Sequence, residues 1–310
     1  MARINKVKNG MGIALIIPTR NRPNHIIRLV KNLENLEQKP AQVIIVDSSD
    51  QDKIVNISSN VLEITKIRTE IKSAAIQRNI GIDYLQTLSL KKAIEFISFL
   101  DDDIQVQRNY FNLVLEKFNA RKEFVGISGI AKSKESSTQR IRKMRLTNCI
   151  GITGDPGTLT SAAVNISPHG IEEFSEVDWL IGCSTWRIHV FHNLRFESDF
   201  FGQSLFEDVI FSARAKKIGK LGLDPSISIF HELAEEGRES QKEHYASWVK
   251  NRYRIYDYNI QNISKLKFWI LIGILFFYHS LISPFKAHEL DKSAGILLGI
   301  KRIMQEKIIL

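Results

Sequence analysis

The sequence predicts an α/β protein whose mainly parallel sheet is flanked by helices. Short continuous apolar runs recur through the first 130 residues, with segments of helical apolar spacing between them. Several of those runs are followed at once by a polar loop, the arrangement in which ligands collect at the carboxyl ends of parallel strands. At 310 residues and 44% apolar composition, with 7 Pro and 17 Gly, the chain can bury a large core, which excludes fibrous, collagen-like and wholly disordered classes.

Taken in order, residues 12–17 (GIALII) read as the first strand, and residues 23–36 as a helix opened by Pro23. Arg3, Lys6 and Lys8 ahead of the apolar run imitate a signal peptide, but the run is short and ends in Pro-Thr-Arg without a small-residue cleavage site. Residues 42–46 (QVIIV), 61–67, 93–100 (AIEFISFL) and 124–130 are further strands; 73–88 and 109–120 are helices. Residues 131–148 are polar and basic, with Lys132, Lys134, Arg140, Arg142, Lys143 and Arg145 against Glu135, as in a solvated loop or a patch that meets an anionic acceptor. Beyond an apolar stretch at 179–194, residues 205–218 read as an amphipathic helix closed by Gly219, residues 221–230 as one or two strands, and 241–260 as one long helix. The expected organisation is one domain over residues 1–260, with halves 12–130 and 131–260, and a helical C-terminal segment over 261–310.

A net charge of +9, from 43 Lys and Arg against 34 Asp and Glu, favours anionic partners without choosing among them. The basic residues lack aromatic interleaving and match no helix-turn-helix or RNA-recognition pattern, so no nucleic-acid partner is expected. Cys149 and Cys183 lack metal-site spacing and imply a reducing, cytoplasmic setting.

The chemistry concentrates in carboxylates. Asp101, Asp102 and Asp103 follow an apolar strand; side chains alternate along an extended strand, so Asp101 and Asp103 share a face and Asp102 points away. Like charges so close need a cation, and Mg²⁺ or Mn²⁺ suits oxygen ligands together with substrate phosphates. The alternative is a solvated acidic turn. Glu207-Asp208 opens the 205–218 helix, where acidic residues suit the helix dipole or provide a general base. His231 ends a strand and is open to a core role, metal ligation or phosphate contact; Arg78 and Asn79 are open to phosphate contact, a base edge or a plain helix surface.

Together, the ordered segments IALIIPTRNRP, VIIVDSSD, SAAIQRNIGID, FISFLDDD, FEDVIFSARAKKIGK and SWVKNRYRI resemble the family 2 glycosyltransferases of GT-A fold, over roughly residues 12–255. The resemblance implies a Rossmann-like GT-A domain and inverting transfer of a sugar from a nucleotide-diphosphate donor, with UDP the expected nucleotide, to a hydroxyl of a glycan or lipid-linked acceptor. It implies that Pro18 and Thr19 line the nucleotide pocket, that Asp47 addresses the nucleobase and that Arg78 lies near the nucleotide. Asp101 then lies nearer the ribose, Asp103 on the metal (Asp102 in the alternative register), and Asp208 is the base; Asn251-Arg252 matches a pair preceding the C-terminal segment. A sugar-phosphate nucleotidyltransferase is the rival enzyme class, but PTRNRP lacks the Gly-rich loop it needs.

Residues 268–285 form an uncharged run about 27 Å long as a helix, borderline for a bilayer. Residues 293–309 place apolar and cationic residues at helical spacing. Together, 266–310 suggest interfacial attachment to a membrane surface, and hence a peripheral protein of the cytoplasmic face serving surface polysaccharide or glycolipid synthesis; a true span and a buried helical hairpin or oligomer surface are the alternatives.

Overall fold

The computed structural model describes residues 12–54, 56–88, 94–132, 153–198, 200, 205–231, 240–260, 262–284 and 287–309. The N-terminal cations Arg3, Lys6 and Lys8, the basic stretch from residue 133 onward, Cys149, Phe285 and Lys286 lie outside them.

Among the described residues one sheet organises the chain. Strands β1 (Gly12–Thr19), β2 (Gln42–Asp47), β3 (Ile64–Arg68) and β4 (Ile94–Phe99) pair in parallel in the order β3-β2-β1-β4. The sheet continues through β8 (Ser184–Arg187), β6 (Phe124–Lys132), β9 (Lys220–His231) and the short β5 (Ile104–Val106), with β7 (Ser175–Val177) also on β9. β8 runs antiparallel between β4 and β6, while β6 and β9 are parallel.

Helices cover both faces, which is why the central strands read as unbroken apolar runs rather than alternating ones. Ala14, Ile16, Ile44, Val46, Ile97 and Phe99 face α2 (Ala74–Leu88) and α4 (Glu207–Ala215). Ile13, Leu15, Ile17, Val43, Ile45 and Phe96 face α1 (Pro23–Glu34) and α3 (Tyr110–Ala120). α2 lies so close to the sheet that a Cβ on Gly81 would sit 2.6 Å from Ile16 Cγ2. Because α2 and α4 share one face, their side chains can meet under the carboxyl ends of the strands.

Two helices differ from the sequence expectation. The 205–218 segment is not amphipathic: its helix is Glu207–Ala215, and its residues are buried except Asp208 and Arg214, because sheet and loops enclose it. The expected long helix at 241–260 stops at Tyr253 (α5, Gln241–Tyr253), followed by a 3₁₀ turn over Arg254–Tyr258 and by Asn259 in the left-handed region, φ 50°. α6 (Lys265–Ile282) and α7 (Ala287–Ile309) then pack with α5 around Val249, Tyr253, Phe268, Ile272, Ile296 and Ile303.

Candidate active site

Register brings the strand ends level: Thr19 stands opposite Asp47, and Asp47 opposite Arg68. The loops beyond are cross-braced. Asn21 adopts a left-handed conformation, φ 57°, donates its backbone N–H to Ser49 Oγ at 2.7 Å and its side-chain amide to Asp50 at 2.7 Å, and accepts from the Asp50 N–H at 2.8 Å. From α2, the buried Gln77 amide donates to the carbonyls of Thr19 (2.9 Å) and Val46 (2.7 Å). Pro18 is buried within β1 opposite Val46, and the pairing continues past it to Thr19 and Asp47.

Asp47 is buried at the end of β2. It accepts from the Ser49 N–H at 2.8 Å and is ion-paired with Lys66 and Arg68, each at 3.2 Å. Burial pushes its carboxyl up, but the Ser49 hydrogen bonds and Lys66 outweigh that and hold it below the usual range. Lys66 and Arg68 also line an open cavity of about 800 Å³, with Gln51, Ile54, Asn56, Thr69 and Glu70. That volume accommodates a nucleotide-sized ligand.

The aspartate triplet is not an extension of β4. The strand closes at Phe99 and the triplet lies in the turn before β5, so the expected face-sharing of Asp101 and Asp103 does not apply. Instead Asp102 and Asp103, both buried, share the Arg22 guanidinium at 3.0 and 3.1 Å, and Thr19 Oγ1 donates to Asp102 at 2.6 Å. Asp101 is partly exposed and turns to Arg78 at 2.8 Å. His231 Nε2 lies 3.5 Å from Asp103 Oδ1, and its buried Nδ1 has no hydrogen-bond partner among the described residues.

That donor set bears on a metal. A carboxylate oxygen and an imidazole nitrogen facing each other across 3.5 Å offer a divalent cation one oxygen and one nitrogen donor. No group of three or more His, Cys, Asp or Glu suited to a cation forms among the described residues, so substrate phosphates would have to complete the shell. The residues fit on that condition.

The opposite wall is α4. Phe206 precedes it at φ 76°, a conformation costly for a bulky residue, and the turn delivers Glu207 and Asp208 to the site. Asn251 and Arg252 brace this turn: Asn251 donates to the Leu205 carbonyl at 2.9 Å and Arg252 to the Ala163 carbonyl at 2.8 Å. The Arg252 guanidinium stacks 3.7 Å over Trp248 and 4.6 Å over Phe206, and burial pulls its pKa down to about 9. Glu207 is ion-paired with Arg78, the same side chain that holds Asp101. Asp208 accepts from the Val209 N–H at 2.8 Å; burial, with a contribution from the Asp101 charge, raises its pKa to about 6. Asn79, by contrast, is a backbone brace, exchanging hydrogen bonds with Phe196 at 2.8 and 2.9 Å.

Arg22, Gln77, Lys66, Arg68, Gly182 and Cys183 join the site without having been singled out from the sequence. Lys66 and Arg68 carried a signal, since residues two apart on a strand share a face. A Cβ on Gly182 would lie 3.0 Å from Arg78 Nη2, and Cys183 Sγ receives the Asp101 N–H at 3.5 Å. Nothing local marks these two; their role comes from tertiary approach.

A sheet whose first four strands are parallel, with braced acidic and basic loops at their carboxyl ends, defines an α/β protein of the kind that collects ligands at that edge. The family model of glycosyl transferase family 2 matches residues 14–170, just over half of the chain, and the protein belongs to that family. The match takes in Thr19, Asp47, Arg78 and the triplet, and stops before Glu207, Asp208 and His231. Among solved structures, S. aureus TarS superposes with a TM-score of 0.54 at 16% identity over 87% of this chain and 44% of that one. TarS 1–349 in complex with UDP-GlcNAc gives 0.54 at 17% identity, over 87% of this chain and 73% of that one. The UDP complex of TarS 1–349 gives 0.53 at 13%, over 96% and 92%. This chain thus spans under half the length of the longest of these, and at such identities the likeness establishes the shared GT-A fold. No curated protein matches the sequence.

Proposed function

We propose that this protein is an inverting transferase that moves a sugar from a nucleoside-diphosphate donor to a hydroxyl of a glycan or lipid-linked acceptor, in surface polysaccharide or glycolipid synthesis. The observation that supports this reading is Arg78, which contacts Asp101 of the triplet and Glu207 of α4 together, with Asp208 the next residue along that helix. UDP is the nucleotide we favour, supported by the UDP and UDP-GlcNAc complexes of the TarS neighbours. Lys66 and Arg68 around Asp47 offer the base and ribose end of the donor a charged wall.

In the reaction Asp208, ionised above about pH 6, takes the proton of the acceptor hydroxyl. The acceptor oxygen forms its bond to the anomeric carbon as the carbon–phosphate oxygen bond breaks, and the electron pair leaves with the nucleoside diphosphate. Attack from the face opposite the leaving group inverts the anomeric centre through an oxocarbenium-like transition state. Arg22 and Arg78 supply fixed positive charge near the triplet. Asp103 and His231, with Asp101 nearby, would hold a Mg²⁺ or Mn²⁺ ion, which when bound neutralises charge on the departing diphosphate.

The test is a panel of UDP-, dTDP- and GDP-sugars with Mn²⁺, read by thermal shift and by release of nucleoside diphosphate without acceptor. A shift confined to one nucleotide series, with slow diphosphate release lost in Asp208→Asn, is the expected result. Activity only on a nucleoside triphosphate and a sugar phosphate, with release of pyrophosphate, would replace this reading with a nucleotidyltransferase.

A further inference from the structure

α6 is, among the described residues, the one helix long and apolar enough by composition to cross a membrane, with mean hydropathy 1.5 over its 18 residues. Its two sides have different fates. Phe268, Leu271, Ile272 and His279 are buried. Leu266, Ile270, Ile274, Phe277, Tyr278 and Leu281 are exposed, Leu266 and Leu281 by 70% or more. At 100° per residue these six fall within one arc of about 120°, the width of a complete apolar face. A second, narrower stripe runs along α7 through Leu290, Leu297 and Met304, with the exposed Lys301 on the same side.

The buried side of α6 is committed to protein by polar as well as apolar contacts. His279 Nδ1 pairs with Glu289 Oε2 of α7, whose other oxygen takes Lys292 Nζ at 2.8 Å. At its start, the Ser264 N–H donates to the Ser161 carbonyl at 2.8 Å, and Lys267 Nζ to Ser161 Oγ at 3.0 Å. A helix that crossed a bilayer at this position would carry the Glu289–Lys292 pair of α7 toward hydrocarbon, where charged groups are costly. A helix with one apolar arc and one protein-bound side is suited to lie along a lipid surface.

We propose that the exposed arc of α6 docks this protein on an anionic lipid surface, with the helix in the plane of the interface. The choice of lipid over another protein rests on charge: Lys301 is exposed within the α7 stripe, and the chain as a whole carries +9. The proposal stands on α6 and α7 alone and is independent of the donor chemistry.

The test uses the full chain and vesicles of phosphatidylcholine, with and without phosphatidylglycerol, read by co-sedimentation. The variant is Phe277→Glu/Leu281→Glu; both side chains are largely exposed, so its thermal melt should match that of the parent. The parent is expected to sediment with phosphatidylglycerol vesicles, to release as salt is raised, and to bind at least about tenfold more tightly than the variant. Equal sedimentation of parent and variant would overturn the proposal, as would resistance to an alkaline carbonate wash, which marks a crossing helix. A dimer dissolved by the same substitutions, in a protein that ignores vesicles, would assign the face to a second copy instead. Diphosphate release without acceptor should be the same in both proteins, so failure here and failure of the transferase reading are distinguishable.

Discussion

Glu207, in the first turn of α4, is ion-paired with Arg78 of α2, and both side chains are buried beneath the acidic triplet. A buried ion pair contributes little net stability, yet removing one partner leaves an uncompensated charge. Arg78→Ala should therefore cost about 3 kcal/mol in urea denaturation, and Arg78→Ala/Glu207→Gln distinctly less than that. Arg78→Lys keeps the charge but loses the fork that spans Asp101 and Glu207, so it should fold while its turnover falls by about two orders of magnitude. Near-parental turnover in Arg78→Lys would show that charge alone suffices.

Asp208 carries the pH dependence. Its carboxyl is raised from 3.8 to about 6, so turnover should climb with pH through an inflection near 6, and Asp208→Asn should lose at least about a thousandfold. Stability moves the other way. The folded state keeps this proton up to about pH 6, whereas the unfolded chain gives it up near 4; between those values the native state binds more protons and loses stability as pH rises. Asp208→Asn removes that penalty. By calorimetry it should be more stable than the parent at pH 7.5, by on the order of 2–3 kcal/mol, with the difference gone below pH 4. A variant less stable than the parent at pH 7.5 contradicts the assigned burial.

Much of this arrangement was legible because it is local. GIALII and QVIIV carry no alternation, and only a strand covered on both faces allows that. Pro23 marks the start of α1, and the polar loops after β1, β2 and β4 point to the carboxyl edge. The triplet misled because strand alternation was carried past Phe99, where the chain had already turned. The near-complete burial of α4 was hidden by Glu207, a polar residue whose burial rests on a partner in α2, and by Asp208, which keeps part of its surface. Arg22 was invisible for another reason: nothing near it in sequence says that its guanidinium crosses to Asp102 and Asp103.

That crossing makes Arg22 a resident cation at the position where a divalent ion is expected to act. A guanidinium about 3 Å from two carboxylates offsets the charge that would attract a metal. In Arg22→Ala, calorimetric titration with Mn²⁺ should show affinity raised at least about tenfold, while the ligand-free protein melts lower because Asp102 and Asp103 lose their partner. Unchanged Mn²⁺ affinity would mean that the carboxylates beside Arg22 take no part in holding the ion.

Two glycines separate the needs of the fold from those of the site. At Gly81 an added Cβ would stand 2.6 Å from Ile16 Cγ2, inside the contact between α2 and β1. Overpacking of that kind costs about 1–3 kcal/mol, against which alanine's better helix propensity returns about 1. Gly81→Ala should therefore lower the urea midpoint while leaving turnover close to the parent's. At Gly182 the nearest atom is Arg78 Nη2 at 3.0 Å, followed by the Arg78 guanidinium carbon at 3.7 Å and Asp101 Oδ2 at 3.8 Å. The Arg78 fork can yield by a few tenths of an ångström, so Gly182→Ala should barely change the melt. Its cost should instead appear in turnover, by about tenfold, because a small displacement of Arg78 weakens its hold on Asp101 and Glu207 together. Should Gly182→Ala melt early and retain its rate, Arg78 is a structural clamp and its place in the chemistry is withdrawn.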